Sequence, residues 1–174
     1  MPNPTNQYDA EALYAILLQQ VAAGLADAHD VAIVGIHSGG AWLAERLAVD
    51  LGLSGRLGFI DVSFYRDDFA KKGLHADVKP TQIGFQVDGA TILLVDDVLY
   101  TGRTTRAAIN ELFDYGRPAA IMLAALVDRG GRQLPIAADF VGLTLTGDQA
   151  LVLQRAPDGQ FTLNIDIGID NHHA

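Results

Sequence analysis

The sequence predicts an α/β fold in which a central, mainly parallel sheet is flanked by helices. Short apolar runs alternate with segments whose apolar residues follow helical spacing, and this alternation is typical of parallel sheets covered on both faces. The chain has 174 residues, of which 49% are hydrophobic, and that size and composition suit a folded domain with a buried core. We therefore expect a single domain over residues 1–174.

The first half of the chain is expected to contain two helices and two strands. Residues 1–8 are polar and contain prolines, so we expect a loose N-terminus. Asp9 is suited to cap the first helix, whose apolar positions recur at helical spacing as far as Leu25. The next predicted elements are a strand at 31–36, a helix at about 41–49 and a strand at 57–64.

The second half begins with a charged segment. Residues 66–84 lack clear periodicity and contain Pro80, so we expect a mobile arm with some strand character. Residues 168–174 are expected to be a frayed tail. The elements predicted between them are a strand at 92–95, a helix from about Thr104 to Phe113 that ends before Pro118, a strand at 119–127, and short strands near Phe140, at 151–153 and at 161–165.

Charge and composition exclude several classes of protein. The net charge is −9, from 12 basic and 21 acidic residues, which disfavours a general nucleic-acid binder because such proteins carry a basic surface. The chain has no cysteine, so disulfides and thiolate metal sites are excluded. No apolar run approaches the roughly 20 residues that span a bilayer, and we expect a cytoplasmic protein.

Residues 92–106 are the most informative segment of the chain. The apolar residues Ile92 to Val95 predict a buried strand, and Asp96 and Asp97 follow where we expect that strand to end. In open α/β sheets, ligands bind outside the carboxyl ends of the strands. The two acids are therefore expected to face a ligand pocket.

A loop rich in small and hydroxyl residues follows the two acids. Gly102 lets the backbone approach a ligand closely, and Thr101, Thr104 and Thr105 offer hydroxyls. The helix that follows directs unpaired N–H groups at an anion. Acids beside an anion-binding loop suit a ligand that carries both hydroxyls and a phosphate, such as a ribose phosphate.

This segment resembles the 5-phosphoribosyl-1-diphosphate (PRPP) motif of type I phosphoribosyltransferases, in which apolar residues precede Asp-Asp and then Thr-Gly-x-Thr. The resemblance implies that Asp96 and Asp97 hold the ribose hydroxyls and that the loop from Thr101 to Thr105 holds the 5-phosphate. It also implies the type I fold, which adds a small hood and a flexible arm to the sheet.

His37-Ser38-Gly39-Gly40 also lies between a predicted strand and a predicted helix. The two glycines fit either a tight turn or a loop whose exposed N–H groups bind an anion. Beside the PRPP motif, the segment resembles the pyrophosphate loop of the family. That resemblance implies contacts to pyrophosphate and a cis peptide bond that does not involve proline.

Two further segments have both a functional and a structural interpretation. Arg66 lies among charged residues that form either an exposed loop or a lid that closes over PRPP and excludes water, and we favour the lid. Leu126 to Arg132 follows the fourth strand. Its backbone is placed to contact a flat base, with Arg129 stacking on the base or binding the phosphate of the product, and a salt-bridged surface turn is the alternative.

Four segments taken in order narrow the family: Asp61 to Asp68, Val95 to Thr104, Gly116 to Pro118 and Leu126 to Gly130. Over roughly residues 10–155 the chain resembles the PyrR family, whose members are bifunctional pyrimidine operon attenuators and uracil phosphoribosyltransferases. The resemblance implies conversion of uracil and PRPP to UMP and pyrophosphate, with Mg²⁺ held through substrate and water and no direct protein ligand. It also implies a homodimer or a larger homo-oligomer.

The resemblance assigns the site residues as follows. The catalytic residues are Asp96, Asp97 and Arg66, and the residues that bind PRPP or UMP are Ser38, Gly39, Gly40, Val98, Leu99, Tyr100, Thr101, Gly102, Arg103, Thr104, Thr105, Val127, Asp128, Arg129 and Val152.

The chain departs from the family where regulators bind leader messenger RNA. Ser38-Gly39 stands where a Thr-Arg pair is common, Gly131 where histidine is common, and Ala137 and Leu143 at positions that are often basic. We therefore expect the enzyme. The alternatives are an RNA-binding attenuator that senses UMP or PRPP with weak catalysis, and transfer to another base such as a purine.

Overall fold

The computed structural model describes residues 8–63, 80–146 and 149–166. The helices are α1 (Ala10–Gly24), α2 (Gly39–Asp50) and α3 (Arg103–Phe113), with a 3₁₀ helix at Ser54–Arg56. The strands are β1 (Val31–Ile36), β2 (Leu57–Ile60), β3 (Thr91–Leu99), β4 (Ala120–Asp128), β5 (Phe140–Thr144), β6 (Leu151–Arg155) and β7 (Phe161–Ile165). Within these ranges, no helix is long and apolar enough to cross a membrane.

The central sheet confirms the predicted fold class. Its five strands follow the order β2-β1-β3-β4-β5, and every neighbouring pair is parallel. β6 and β7 form a separate antiparallel hairpin, which corresponds to the predicted hood. The strand order reverses between β1 and β3, and such a switch point is where open α/β sheets bind their ligands.

Side chains of the central strands alternate between two cores, as the period of two in a strand requires. Leu93 and Val95 pack with α1, α2 and the β6–β7 hairpin. Ile92 and Leu94 pack on the other face with Leu112 of α3. Because helices cover both faces, β3 is apolar through Val95, and the first polar side chain marks the edge of the core.

The prediction that the motif strand ends at Val95 was wrong. β3 continues to Leu99 because its pairing with β4 continues, with Val98 opposite Val127 and Leu99 opposite Asp128. Its pairing with β1 does stop at Val95, which lies opposite Gly35. The two acids therefore lie beyond the pairing with β1, where β3 keeps β4 as its only neighbouring strand in the described sheet.

Two other predicted boundaries also differ from the structure. β2 ends at Ile60, short of the predicted Phe64, because Asp61 turns the chain by accepting hydrogen bonds from the N–H and Oγ of Ser63. α2 begins at Gly39, two residues earlier than predicted. Gly39 and Gly40, which were predicted to lie before the helix, thus form its first turn.

The predicted arm is described only from residue 80 onward. There the chain lies along the free edge of β2, where Gln82 pairs with Phe59 in an antiparallel bridge. Thr81 also donates a hydrogen bond to Glu111 of α3 at 3.1 Å. Arg66 and the rest of the arm, residues 1–7 and the predicted frayed tail lie outside the described residues.

Candidate active site

A cleft of about 470 Å³ lies at the carboxyl end of β3, between the start of α3 and the β6–β7 hairpin. It is lined by Asp96, Asp97, Val98, Leu99, Tyr100, Thr101, Gly102, Thr104, Thr105, Arg129, Ala150, Leu151, Val152 and Asp166. Most of the residues predicted from the sequence therefore lie together on one continuous wall.

The two acids are held by the backbone of their own strand. Asp96 is 4% exposed, and one of its carboxylate oxygens accepts a hydrogen bond from the Asp97 N–H at 2.9 Å. Asp97 accepts one from the Val98 N–H, also at 2.9 Å. Carboxylate oxygens only accept hydrogen bonds, and each can accept more than one, so such groups suit the hydroxyls of a ligand.

The start of α2 lies directly against these acids. The His37–Ser38 peptide bond is cis, as the family resemblance predicted. A Cβ added at Gly39 would lie 2.3 Å from Oδ2 of Asp97, and one added at Gly40 would lie 2.3 Å from the Val95 carbonyl oxygen. Both glycines are needed for this close approach. Ser38, Gly39 and Gly40 are not part of the cleft wall and lie behind Asp97.

The loop between β3 and α3 is braced by the segment that follows β4. The Leu99 carbonyl accepts a hydrogen bond from the Arg129 N–H at 3.0 Å, and the Thr101 carbonyl accepts one from the Gln133 N–H at 2.9 Å. Gly102 has φ +95° and caps α3, a conformation in which a side chain would be strained. The loop is thus fixed before any ligand binds.

The hydroxyl of Thr105 has no partner in the described part of the chain. Thr105 lies in the first turn of α3 and is 1% exposed, yet its Oγ1 makes no hydrogen bond. The first N–H groups of a helix also have no partner within the helix. The Arg103 N–H donates to Thr101 Oγ1 at 3.2 Å, and the unpartnered Thr105 hydroxyl next to this helix start makes a site that an anionic oxygen would complete.

Arg129 forms the opposite wall of the cleft. Its guanidinium lies 3.9 Å from the centre of the Tyr100 ring, and its Nε is buried without a hydrogen-bond partner among the described residues. Gly131 allows this stack, because a Cβ there would lie 2.4 Å from the Tyr100 ring. The two unpartnered buried side-chain atoms in the described ranges, Thr105 Oγ1 and Arg129 Nε, thus both belong to residues that line one cleft.

Asp128 has partners of its own beside the cleft. It accepts hydrogen bonds from Arg132 at 2.7 Å and from the Gly130 N–H at 3.0 Å. Partial burial raises the pKa of Asp128, but these two bonds and the charge of Arg132 outweigh that effect and hold the pKa below its usual value. The side chain therefore shapes the turn that carries Arg129.

Besides Ser38, Gly39 and Gly40, three more residues predicted to bind substrate are not part of the cleft wall: Arg103, Val127 and Asp128. The Arg103 side chain is directed at Gln133, to which its Nε donates at 3.0 Å. Val127 is fully buried in the core, so only its backbone is available to a ligand.

No motif in the sequence pointed to three residues of the wall: Ala150, Leu151 and Asp166. Leu151 pairs with Ile165, and the Asp166 N–H donates to the Ala150 carbonyl at 2.7 Å. Their place in the wall depends on how the hairpin packs against β3, which no local pattern encodes.

A larger cleft of about 700 Å³ lies between α1, α2 and the hairpin turn. Its polar side chains bond with one another: Arg46 with Glu11, Tyr14 with Asp50, and Arg155 with Glu45. Because these groups already have partners, the smaller cleft is the better candidate for the active site.

Comparison with known proteins agrees with this geometry. The family model for the phosphoribosyl transferase domain matches residues 5–154. The Bifunctional protein PyrR of Ralstonia nicotianae is 57% identical over 159 residues, which cover 89% of this chain and 91% of the relative. The chain belongs to the PyrR family of phosphoribosyltransferases. The Bifunctional protein PyrR of Nitrosococcus oceani is 52% identical over 136 residues, covering 76% of this chain and 77% of the relative.

Solved structures of more distant phosphoribosyltransferases share the fold of this PyrR family member. The hypoxanthine phosphoribosyltransferase of Trypanosoma cruzi aligns with a TM-score of 0.67 at 16% identity, covering 95% of this chain and 93% of that one. The hypoxanthine-guanine phosphoribosyltransferase of Bacillus anthracis aligns with a TM-score of 0.66, also at 16% identity, covering 95% of this chain and 99% of that one. At these identities the likeness concerns the fold alone.

Proposed function

We propose that this protein transfers the phosphoribosyl group of PRPP to uracil, forming UMP and pyrophosphate. The observation that carries the proposal is a single cleft lined by two carboxylates, by the start of a helix and by two residues, Thr105 and Arg129, each with a buried polar atom that has no partner among the described residues. A buried polar atom without a partner is costly to the free protein. The phosphate and the base of a bound nucleotide would supply the missing partners.

Each wall of the cleft matches one part of this substrate. Asp96 and Asp97 accept hydrogen bonds from the two ribose hydroxyls. The start of α3, with Thr101, Thr104 and Thr105, binds the 5-phosphate through N–H groups and hydroxyls. The Gly39–Gly40 turn behind Asp97 takes the pyrophosphate, and Arg129 and Val152 contact the base.

The reaction forms one bond and breaks one bond at the anomeric carbon. Uracil N1 bonds to C1 of the ribose, the bond from C1 to the pyrophosphate oxygen breaks, and pyrophosphate leaves with the electron pair. The N1 proton passes to solvent, and positive charge builds on the ribose while the bonds change. Asp96 and Asp97 lie beside that charge. They contribute to catalysis by orienting the ribose and by stabilising the positive charge that develops on it.

The donor set in the cleft fits Mg²⁺ bound through its substrate. No group of three or more acids or histidines in the described ranges forms a metal cage, while two carboxylates do lie at the ribose end of the cleft. Mg²⁺ keeps several waters and binds through one or two carboxylates and substrate phosphates. Asp96 and Asp97 would hold it through water and the ribose hydroxyls, and when bound it neutralises charge on the leaving pyrophosphate.

Uracil as the acceptor base is supported by the family. The relatives with half or more of their aligned residues identical are PyrR proteins, whereas the purine enzymes share only the fold. The cytoplasmic location and the homo-oligomeric state expected from the sequence stay predictions.

Leader RNA is left out of the proposal because the described basic residues offer little to a phosphate backbone. Of the eight arginines in the described ranges, five are engaged with acids, backbone carbonyls or aromatic rings: Arg46, Arg56, Arg129, Arg132 and Arg155. With a net charge of −9, salt-dependent binding to RNA would be weak. To test for RNA binding, the protein is titrated with a pyrimidine-operon leader RNA, with and without UMP, at two salt concentrations. Tight, salt-sensitive binding that UMP promotes would support the alternative function as an RNA-binding attenuator.

The experiment that tests the proposed function is a panel of acceptor bases. Purified protein is given PRPP and Mg²⁺ with uracil, hypoxanthine or orotate, and nucleotide formation is followed. We expect turnover with uracil alone. Turnover with hypoxanthine in preference to uracil would overturn the base assignment, and no turnover with any base would overturn the proposal.

A further inference from the structure

The β6–β7 hairpin contributes one wall of the cleft without belonging to the central sheet. One end of the hairpin, where Leu151 pairs with Ile165, lies at the cleft, and the other end is the Arg155–Phe161 pair. A hairpin of two strands is marginally stable alone. The hairpin is held by its buried side chains Leu151, Leu153, Phe161 and Leu163, which pack into the core, and by polar contacts at its far end.

Arg46 of α2 holds that far end. Its guanidinium lies 3.8 Å from the centre of the Phe161 ring and 4.9 Å from that of Tyr14. It donates hydrogen bonds to the Gly159 carbonyl in the hairpin turn and, at 2.6 Å, to Glu11 of α1. One side chain thus contacts a helix and the hairpin turn at once.

Glu11 completes the attachment from α1. Its second carboxylate oxygen accepts a hydrogen bond from the Phe161 N–H at 2.7 Å. The Arg46 and Glu11 side chains are 25% and 34% exposed, and charge-assisted bonds in a partly buried setting are stronger than those of a surface pair. We refer to Arg46, Glu11, Gly159 and Phe161 as the clasp.

The same helix connects the clasp to the acids. α2 begins at Gly39, against Asp97, and Arg46 lies seven residues later, which is about 10 Å along a helix. The hairpin then runs back from the clasp to the cleft over five residues, about 13 Å along a strand. α2 and the hairpin thus link the acids with the opposite wall.

We propose that Arg46 is a positioning residue that sets the distance between the hairpin wall of the cleft and the acids of β3. It touches neither substrate. The proposal rests on the proposed function, in which Val152 contacts the base while PRPP is held by β3 and α3. Loosening the clasp should therefore weaken base binding and leave PRPP binding nearly intact.

The test compares Arg46→Met with Arg56→Met. Arg56 is a matched control because it too donates two hydrogen bonds, in its case to the backbone carbonyls of Val31 and Asp30, and also lies near an aromatic ring. It does so at the start of β1, at the end of the sheet opposite the cleft. A purely structural role for Arg46 would make the two variants behave alike.

For Arg46→Met we expect the KM for uracil to rise roughly three- to tenfold, with the KM for PRPP changing less than about twofold. In Arg46→Lys the KM for uracil should rise less than in Arg46→Met, because lysine keeps the positive charge although it lacks the planar guanidinium. Arg56→Met should change neither KM. Equal rises in both KM values, or the same rise in Arg56→Met, would overturn the proposal.

Hydrogen exchange gives a second readout that needs no turnover. Amides of β6 and β7 should exchange faster in Arg46→Met than in Arg56→Met, while those of β3 and β4 stay protected in both. If exchange in β6 and β7 is the same in both variants, the proposal that Arg46 holds the hairpin is wrong. If β6 and β7 exchange faster in Arg46→Met but the unmodified protein shows no turnover with uracil, the proposed function has failed and the attachment of the hairpin by Arg46 stands.

Discussion

Gly39 and Asp97 lie so close that a side chain on the first would overlap the carboxylate of the second: a Cβ at Gly39 would lie 2.3 Å from Asp97 Oδ2. The two residues belong to α2 and β3, and β3 pairs with β1, which precedes α2. Their contact brings the start of a helix to the carboxyl end of the motif strand. The ribose and leaving-group ends of the proposed substrate meet at this point.

Gly39→Ala should abolish transfer. The added methyl must displace the Asp97 carboxylate, and forcing extra volume into a packed site costs about 1–3 kcal/mol. Activity and the free energy of unfolding are both measured. Gly55→Ala is the control, because a Cβ there meets nothing within 4 Å. This variant should keep the activity and the unfolding free energy of the unmodified protein. If the Gly39→Ala variant is active, the Asp97 carboxylate can be displaced without loss of activity, and the proposed role of this contact is wrong.

Asp97→Asn should reduce transfer severely while leaving the fold intact. The amide removes the negative charge beside the ribose, and loss of one preorganised electrostatic contact costs about 10²- to 10³-fold in rate. Asp114→Asn serves as the control, since Asp114 is an exposed residue at the end of α3, away from the cleft. Near-normal rates in Asp97→Asn would remove the ribose role from this residue.

Thr105→Val separates binding from stability. Thr105 Oγ1 has no partner among the described residues. Its replacement by a methyl group therefore removes a buried unsatisfied hydroxyl, which costs about 1–3 kcal/mol where it occurs. We expect the free energy of unfolding to hold or rise while the affinity for UMP falls, as followed by denaturant titration and calorimetry. Loss of stability with unchanged affinity for UMP would show that the hydroxyl serves the fold.

Asp128 should make the stability of the protein depend on pH through Arg132. A carboxylate whose folded pKa is depressed stabilises the fold above its unfolded pKa, and this contribution is lost as pH falls through the folded value. The unfolding free energies of the unmodified protein and Arg132→Leu should therefore differ by a constant amount above about pH 5 and converge below about pH 4. A difference independent of pH would contradict the depressed pKa of Asp128.

The order of elements and most of the site could be predicted from the sequence because both are encoded locally. A run of apolar residues followed by Asp96 and Asp97, then Gly102 and hydroxyls, specifies a strand, a ligand-facing end and a helix start within fifteen residues. The structure places these residues on one wall of a cleft. The cis peptide bond before Ser38 was predicted in another way, from the resemblance to the pyrophosphate loop of the family.

What the sequence did not predict depends on contacts between distant segments. β3 runs past Val95 because β4 continues to pair with it, although β1 does not. Asp166 reaches the cleft because the β6–β7 hairpin folds back over β3. Neither fact follows from periodicity or propensity, since each is decided by which strand lies alongside. The lid predicted around Arg66 stays a prediction.

The central claim is that the cleft joins uracil to the ribose of PRPP. The most direct measurement follows UMP and pyrophosphate together in one reaction with uracil, PRPP and Mg²⁺, beside the same reaction without uracil. We expect the two products in equal amounts, and neither when uracil is omitted. Pyrophosphate released without UMP, or no release of either with uracil present, would contradict the account.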